Sequence, residues 1–236
     1  MCGIVGYIGK HQAAPIILEG LAKLEYRGYD STGMAVFDGK KINIQKAAGR
    51  LQVLENMTRG GETMPGCVGI GHTRWATHGK PTDINAHPHD NQDGTIAVVH
   101  NGIIENYDEL KKELTKKGYV FKSGTDTEVA AAVIDDVYNK EKDMIKVLNK
   151  ITHILKGSYA FNIINDDYKD IIFGIRKDSP LIVGIGENEN VLASDIPAIV
   201  HITNKYVVLD NYDVVYLTKD NVKYYNRAGK EIKKTV

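Results

Sequence analysis

The sequence contains very little cysteine. Cys2 and Cys67 are the only two among 236 residues, which argues against a disulfide scaffold and suits a reducing compartment. The chain does not begin with a basic segment followed by a hydrophobic region, so we expect no secretory signal. Its uninterrupted apolar runs have the length of a strand and are far too short to span a bilayer. These absences predict a soluble cytoplasmic protein.

The sequence also lacks an excess of charge of either sign. Thirty Lys and Arg residues balance thirty Asp and Glu residues, so no net field attracts nucleic acid or an anionic membrane. We therefore expect neither as a partner. The apolar fraction of 42% and the charged fraction of 25% are close to the averages of globular proteins.

Hydrophobic patterns predict strands at both ends of the chain and helices between them. Cys2–Ile8 is predicted as a buried strand and Ala13–Leu24 as an amphipathic helix. A hairpin follows, with strands at Gly33–Phe37 and Lys41–Gln45 around the turn residues Asp38-Gly39. The last third of the chain is predicted to form the strands Tyr159–Ile164, Ile171–Ile175, Leu181–Ile185, Tyr206–Leu209, Val214–Leu217 and Val222–Tyr225.

This order of elements predicts an α+β domain in which sheets are covered by helices. We place the domain at residues 1–228. The basic segment Lys230–Lys234 is interpreted as part of a linker that begins at residue 229 and occupies residues 229–236.

A cysteine directly after the initiator methionine is the first chemically unusual feature. Removal of Met1 would leave Cys2 with both a thiol and a free α-amino group. An α-amino group titrates near about 7.7–8.0, so its neutral fraction can act as the base that activates the thiol. From this residue alone, an inert buried thiol on the first strand remains an alternative.

A second feature is the segment Gly71–Gly79, at the end of a predicted strand. Arg74 in this segment can hold a carboxylate through two parallel hydrogen bonds. Thr77 and His78 can supply further donors. A structural ion pair is the alternative interpretation of Arg74.

The segment His100–Asn106 is a third feature. Here the Asn101 side chain and the Gly102 backbone N–H lie next to each other at a predicted strand-to-helix bend, where they can form an oxyanion hole. An ordinary Asn-Gly turn is the alternative. Further along, Asp126 belongs to a predicted capping box, and it could also pair with the ammonium group of an amino-acid substrate.

Several histidines lie close together in the sequence and suggest a metal site: His72, His78, His87, His89 and His100. However, the chain has only two cysteines, it contains no HExxH motif, and no second pair matches His87-Pro88-His89. We therefore predict no metal and no other cofactor.

Six segments taken together resemble a known family. They are Cys2–Gly6, Tyr26–Ser31, Gly71–Gly79, Asn85–His89, His100–Asn106 and Thr125–Glu128. In this order they resemble the glutaminase domains of glucosamine-6-phosphate synthases, the isomerising glutamine:fructose-6-phosphate amidotransferases. The resemblance implies a four-layer αββα sandwich of two mainly antiparallel sheets, the fold of N-terminal-nucleophile hydrolases.

The resemblance also implies roles for individual residues. Cys2 attacks the side-chain amide of L-glutamine and forms a glutamyl thioester, and ammonia is released. Asn101 and Gly102 form the oxyanion hole. Arg74 binds the carboxylate of the substrate, and Asp126 binds its ammonium group.

Other positions match the family in less central roles. Trp75, Thr77 and His78 belong to a loop that closes over the substrate, and Arg27 supports the surroundings of the nucleophile. In this family the ammonia passes to C-terminal sugar-isomerase domains, where fructose 6-phosphate is aminated. We expect this chain to be the glutaminase domain alone, without those domains. The resemblance further implies that the full-length enzyme is a homo-oligomer.

Three rival interpretations remain. The chain could be the glutaminase domain of another amidotransferase, such as the purine-pathway phosphoribosyl enzyme or asparagine synthetase, which share the Cys2 start. It could be a non-catalytic glutamine-binding or assembly module, although binding alone needs no thiol at Cys2. It could also be a metal-dependent hydrolase, which activity in the presence of a chelator would exclude.

Overall fold

The computed structural model describes residues 2–75 and 80–236. Within these residues the chain forms two sheets of seven strands each, and every pairing between strands is antiparallel. The two sheets stack face to face, and α-helices cover the outer face of each sheet.

The first sheet has the strand order β11-β9-β10-β1-β4-β2-β3. Its strands are β1 (Gly3–Gly9), β2 (Ser31–Phe37), β3 (Ile42–Ala48), β4 (Val68–Arg74), β9 (Ile182–Ile185), β10 (Glu189–Ala193) and β11 (Tyr206–Val208). The helices α1 (Ala13–Ala22) and α2 (Leu51–Thr58) cover it.

The second sheet has the strand order β14-β13-β12-β8-β7-β6-β5. Its strands are β5 (His89–Asp90), β6 (Ile96–Ile104), β7 (Gly157–Asn165), β8 (Ile172–Lys177), β12 (Val214–Leu217), β13 (Val222–Tyr225) and β14 (Glu231–Ile232). The helices α3 (Tyr107–Lys116), α4 (Asp126–Glu141) and α5 (Met144–Ile154) cover it. Short 3₁₀ helices lie at Glu25–Arg27, Asp83–Asn85 and Ile196–Ala198.

The alternation of side chains along the strands creates three apolar layers. On β1, Ile4 and Ile8 face the second sheet, whereas Val5 and Tyr7 face α1. On β6, Ala97 and Val99 likewise face the layer between the sheets, whereas Ile96, Val98 and Ile104 face the helices. This period of two is the geometry of a strand buried on both faces. The four-layer αββα sandwich implied by the family resemblance is confirmed.

Most predicted elements are present, with shifted ends. The hairpin predicted around Asp38-Gly39 is formed by β2 and β3, and Val214–Leu217 and Val222–Tyr225 have the predicted bounds. β10 is not predicted by the sequence pattern. A polar residue, Asn190, interrupts its apolar pattern; the Asn190 side chain is buried because it donates to the Thr218 carbonyl oxygen at 2.7 Å.

The strand-to-helix bend predicted at Asn101-Gly102 is wrong. β6 continues through both residues to Ile104 and remains paired with β7.

Of the capping box predicted at Thr125, the first hydrogen bond is present and the second is not. Thr125 Oγ1 accepts from the Glu128 N–H, but the Glu128 carboxylate accepts from the backbone N–H groups of residues 122 and 123.

At the C-terminal end, β14 pairs with β13, and the Lys234 ammonium group contacts the Asp210 carboxylate at 2.5 Å. The boundary at residue 228 remains a prediction.

Across the part of the chain that the structure describes, no helix has the length and apolar character needed to cross a bilayer.

We predict that Gly33→Ala destabilises the fold. Gly33 lies in the middle of β2, and an added Cβ would lie 2.2 Å from the His87 carbonyl oxygen and 2.5 Å from Lys46 Cβ. Because the first neighbour is a backbone atom of a buried residue and the second lies on the paired strand β3, we expect a loss of about 1–3 kcal/mol in the free energy of unfolding, measured by urea denaturation. The control is Gly124→Ala, where the nearest atom is 3.9 Å away. Equal midpoints for the two variants would contradict the prediction.

Candidate active site

The site lies where the apolar layer between the sheets ends. On β4, Val68 and Ile70 face this layer, and the period of two puts His72 and Arg74 on the same face. On β6 the same alternation places Asn101 in the row of Ala97 and Val99. Polar side chains therefore replace apolar ones at one end of the layer.

Cys2 precedes β1 and is held by contacts from Trp75, the residue after β4, and from Asn101 on β6. The backbone N–H of Trp75 donates to Cys2 Sγ at 3.2 Å, and the thiol lies 3.5 Å from the Trp75 carbonyl oxygen. Asn101 Nδ2 donates to the Cys2 carbonyl oxygen at 3.0 Å. Burial raises the pKa of the Cys2 thiol, although the Trp75 N–H and the Arg74 charge oppose this. A thiol with a raised pKa needs a base before it can attack.

Asn101 and Gly102 lie side by side on β6. The Asn101 side-chain NH₂ group has two hydrogens, so it can donate to a second acceptor besides the Cys2 carbonyl oxygen. Gly102 has φ of +132°, and a Cβ at this position would lie 2.1 Å from the Ser158 carbonyl oxygen. Glycine is therefore required both by the backbone conformation and by the close approach of β7.

Arg74 and Asp126 bring opposite charges to the same small cavity as Cys2. Both side chains are buried, Arg74 at the end of β4 and Asp126 at the first residue of α4. The cavity that they line with Cys2 and Gly102 has a volume of about 20 Å³, room for about one water molecule. Burial lowers the pKa of the Arg74 guanidinium, whereas nearby acidic groups including Asp126 oppose the shift. Asp126 Oδ2 also accepts from the Ile104 N–H at 2.8 Å.

A second, larger cavity also opens at Cys2. Its volume is about 250 Å³, and Arg27, Ile103, Ser179 and Pro180 contribute to its walls. The two cavities share Cys2 and Gly102 but are otherwise lined by different residues. The sequence analysis missed this cavity.

Arg27 connects this second cavity to the start of β1. Its Nη1 contacts the Asp195 carboxylate at 2.6 Å and the Ser194 carbonyl oxygen at 3.4 Å. Ser194 Oγ in turn accepts from the Ile4 N–H at 3.0 Å. These contacts are compatible with a supporting role for Arg27, which remains a prediction.

Trp75 lies at the entrance to the site. Its side chain is 45% exposed, and its ring meets the ring of Tyr29 edge-on with centroids 5.5 Å apart. Thr77 and His78, predicted to follow Trp75 in the same loop, lie outside the described residues.

Four of the histidines noted in the sequence come together behind Asn101. His72, His87, His89 and His100 are all buried, and the rings of His72 and His87 lie 4.2 Å apart. Burial lowers the pKa of His72 to about 3 and the pKa values of the other three below 6.5. Within residues 2–75 and 80–236, no three His, Cys, Asp or Glu side chains are arranged to hold a metal ion.

The structure thus brings Cys2, Asn101, Gly102, Arg74 and Asp126 together, as the sequence analysis expected. It also shows a contact that the sequence analysis missed, between His72 Nε2 and Asn101 Oδ1 at 3.0 Å. The period of two along β4 gave the only signal for this contact, since it places His72 on the face of Arg74.

Comparisons with known proteins identify the family of the chain. Residues 72–201 match the sequence family described as "Glutamine amidotransferase domain". The glutamine--fructose-6-phosphate aminotransferase [isomerizing] of Caldanaerobacter subterraneus subsp. tengcongensis is 52% identical over 236 residues, which is 100% of this chain and 38% of that protein. The protein of the same name from Aquifex aeolicus is 50% identical over 236 residues, covering 100% of this chain and 39% of its own length.

Solved structures show the same fold. A glutamine phosphoribosylpyrophosphate amidotransferase from B. subtilis, complexed with ADP and GMP, superimposes with a TM-score of 0.82 at 26% identity, over 96% of this chain and 49% of that chain. A glutamine aminotransferase class-II domain protein from Silicibacter pomeroyi superimposes with a TM-score of 0.63 at 12% identity, over 95% of this chain and 99% of that chain, and supports the fold alone.

The chain spans 38% of the length of the Caldanaerobacter relative. It therefore matches one part of that longer protein. The family match covers more than half of the present chain, from His72 on β4 to His201 beyond β10. On this match, the chain belongs to the glutamine amidotransferase domain family.

Proposed function

We propose that this chain hydrolyses L-glutamine to L-glutamate and ammonia through a glutamyl thioester on Cys2. The observation that carries the proposal is the position of Cys2. Cys2 lines one cavity together with two potential oxyanion donors, Asn101 and Gly102. It lines the other together with the buried side chains of Arg74 and Asp126, which carry opposite charges.

The proposed reaction has two steps. Cys2 Sγ attacks the side-chain carbonyl carbon of glutamine, and its proton passes to the free α-amino group after Met1 has been removed. The resulting oxyanion is stabilised by Asn101 Nδ2 and the Gly102 N–H. Collapse of this intermediate breaks the C–N bond, and the nitrogen takes the proton and leaves as ammonia. Water then attacks the thioester, the C–S bond breaks, and glutamate and the free thiol are formed.

Arg74 and Asp126 are proposed to recognise the two charged groups of the substrate. A guanidinium group holds a carboxylate through paired hydrogen bonds, and the Asp126 carboxylate can accept from the substrate ammonium group. Both side chains are buried beside Cys2, where charge pairs are less screened than at the surface.

The cavity between these charges must widen before glutamine can enter. A volume of about 20 Å³ suffices for a water molecule but not for glutamine. Trp75 borders this cavity and is 45% exposed. We therefore propose that Trp75, Thr77 and His78 belong to a loop that closes over the substrate. For Thr77 and His78 the support is the sequence resemblance.

The ammonia is proposed to serve the amination of fructose 6-phosphate in a longer, homo-oligomeric protein. Relatives that match the whole chain at 50–52% identity are named for this reaction, whereas the phosphoribosylpyrophosphate enzyme is 26% identical. This difference in identity favours fructose 6-phosphate over a phosphoribosyl compound as the acceptor of the ammonia. The low cysteine content, with both Cys2 and Cys67 free, supports the proposal of a reducing, cytoplasmic compartment.

The first test is turnover by the purified chain, together with its intact mass. We expect loss of Met1 and formation of equal amounts of glutamate and ammonia, and Cys2→Ala should abolish both products. Cys67→Ala is the matched control and should retain activity, because Cys67 lies in the loop before β4 and lines neither cavity at Cys2. Turnover by Cys2→Ala would refute the nucleophile. If the mass shows loss of Met1 and glutamine binds without turnover, the chain acts as a binding module or needs the rest of a longer protein.

Asn101→Ala should lower kcat by about 10²–10³-fold, because one oxyanion donor is lost. The control is alkylation of Cys2 by iodoacetamide, a displacement at a saturated carbon that forms no oxyanion. We expect the variant to keep a near wild-type alkylation rate, which would show that the thiol is still accessible. A near-normal kcat for glutamine hydrolysis would remove Asn101 from the oxyanion hole.

Asp126→Asn should raise the KM for glutamine by about 30-fold or more, since an unpaired buried charge costs about 2 kcal/mol or more. The substitution keeps an oxygen that can accept from the Ile104 N–H, so the start of α4 should be preserved. Glutaramate, which has the side-chain amide and a carboxylate but no ammonium group, provides the comparison. Wild type should show a higher kcat/KM for glutamine than for glutaramate, whereas Asp126→Asn should show similar kcat/KM values for the two. A preserved preference would contradict the assignment.

A further inference from the structure

The contact between His72 and Asn101 crosses from one sheet to the other. His72 lies on β4 of the first sheet, Asn101 lies on β6 of the second, and both side chains are buried. His72 Nε2 lies 3.0 Å from Asn101 Oδ1, while Asn101 Nδ2 lies 3.0 Å from the Cys2 carbonyl oxygen. The three groups form one chain of hydrogen bonds that ends at the proposed nucleophile.

The Cys2 carbonyl fixes the orientation of the Asn101 amide. A carbonyl oxygen can only accept, so the amide end facing it must be the NH₂ group. The reversed orientation would put two acceptor oxygens at hydrogen-bonding distance without a proton between them. Asn101 Oδ1 therefore faces His72, and because Oδ1 also only accepts, the proton of this second hydrogen bond must belong to His72 Nε2.

We propose that His72 is a positioning residue for the oxyanion hole, and that its Nε2–H holds the Asn101 amide with the NH₂ group towards the reacting carbon. The consequence for the reaction rests on the proposed glutamine hydrolysis. His72 reaches the reaction only through Asn101. One amide hydrogen is used by the Cys2 carbonyl oxygen, and the other is left for the developing oxyanion.

The surroundings of His72 keep its ring neutral. Burial lowers its pKa to about 3, and the nearby Arg74 charge acts in the same direction, although the Asn101 hydrogen bond opposes them. His87 stacks on the ring at 4.2 Å, and its Nδ1 accepts from the His100 backbone N–H at 3.4 Å. An imidazole that stays neutral has one N–H, so the donor to Asn101 is present across the working pH range.

The kinetic test is His72→Leu, which removes the donor and keeps an apolar side chain in the site. We expect kcat to fall by about 10–10²-fold, less than for loss of the oxyanion donor itself, with little change in the KM for glutamine. His72→Gln, which retains an N–H donor, should recover most of this loss. Thr73→Val is the matched control, because Thr73 is the next residue on β4 and its Oγ1 has no hydrogen-bond partner among the described residues. Its kcat should be unchanged.

A double-mutant cycle separates positioning from a general structural role. If His72 acts through Asn101, His72→Leu should have almost no further effect on kcat in the Asn101→Ala background. Full additivity of the two losses would overturn the proposal. So would a His72→Gln variant that folds with the wild-type melting temperature but loses as much kcat as His72→Leu.

A second measurement needs no catalytic activity. Nitrogen-15 NMR of the imidazole rings in this chain should show His72 protonated on Nε2 and not on Nδ1, without titration between about pH 5 and 9. The signal is assigned by its absence in His72→Gln. A proton on Nδ1 alone, or on both nitrogens near neutral pH, would overturn the inference. If glutamine is not hydrolysed but the Nε2–H form is found, the proposed function fails and the positioning of Asn101 stands.

Discussion

The hydrogen bond from the Asn101 side chain to the Cys2 carbonyl oxygen joins the two sheets at the end of their shared apolar layer. Cys2 leads into β1 of one sheet, and Asn101 belongs to β6 of the other, so neither strand alone can form the site. Their separation is set by the side chains packed between the sheets, such as Ile4 and Val99, which are fully buried. Close packing of such a layer allows little adjustment. The geometry at the thiol is therefore a consequence of the core.

The four buried histidines at this end of the layer are neutral, and each takes part in a hydrogen bond. His89 Nε2 contacts Thr125 Oγ1, and His100 Nδ1 contacts Thr127 Oγ1, each at 2.9 Å. Burial holds the pKa of these rings low, so they add dipoles but no charge. A protonated histidine at this depth would repel Arg74 and would compete for the carboxylate of Asp126. Keeping the rings neutral avoids both effects.

The residues predicted for this site lie close together, whereas the local structure predicted at two of them is wrong. Cys2, Arg74 and Asp126 stand out because of their chemistry and their places in recognisable segments. The dipeptide Asn101-Gly102 predicts a bend, because it is typical of turns and because the apolar pattern of β6 ends at Val99. The strand continues because Gly102 tolerates φ of +132° against β7, a pairing between segments about sixty residues apart that local propensity does not encode.

Contacts between the sheets could not be predicted from the sequence. The pairing of His72 with Asn101 depends on the stacking of β4 on β6, whereas sequence periodicity reports only which face of its own strand a residue occupies. The cavity of about 250 Å³ has the same origin, because it is formed where Arg27, Ile103 and Pro180 approach Cys2 from distant parts of the chain. Such features follow from the way the two sheets stack, which the pattern of a single strand does not encode.

The division between the sheets also bears on what this chain can do alone. The first sheet supplies Cys2 and Arg74, while the second sheet and its helix α4 supply Asn101, Gly102 and Asp126. All of these groups come from a chain that covers 38% of the length of its relative from Caldanaerobacter. Because the stacking of the two sheets is sufficient to bring them together, the proposed chemistry on glutamine depends on the stability of this fold.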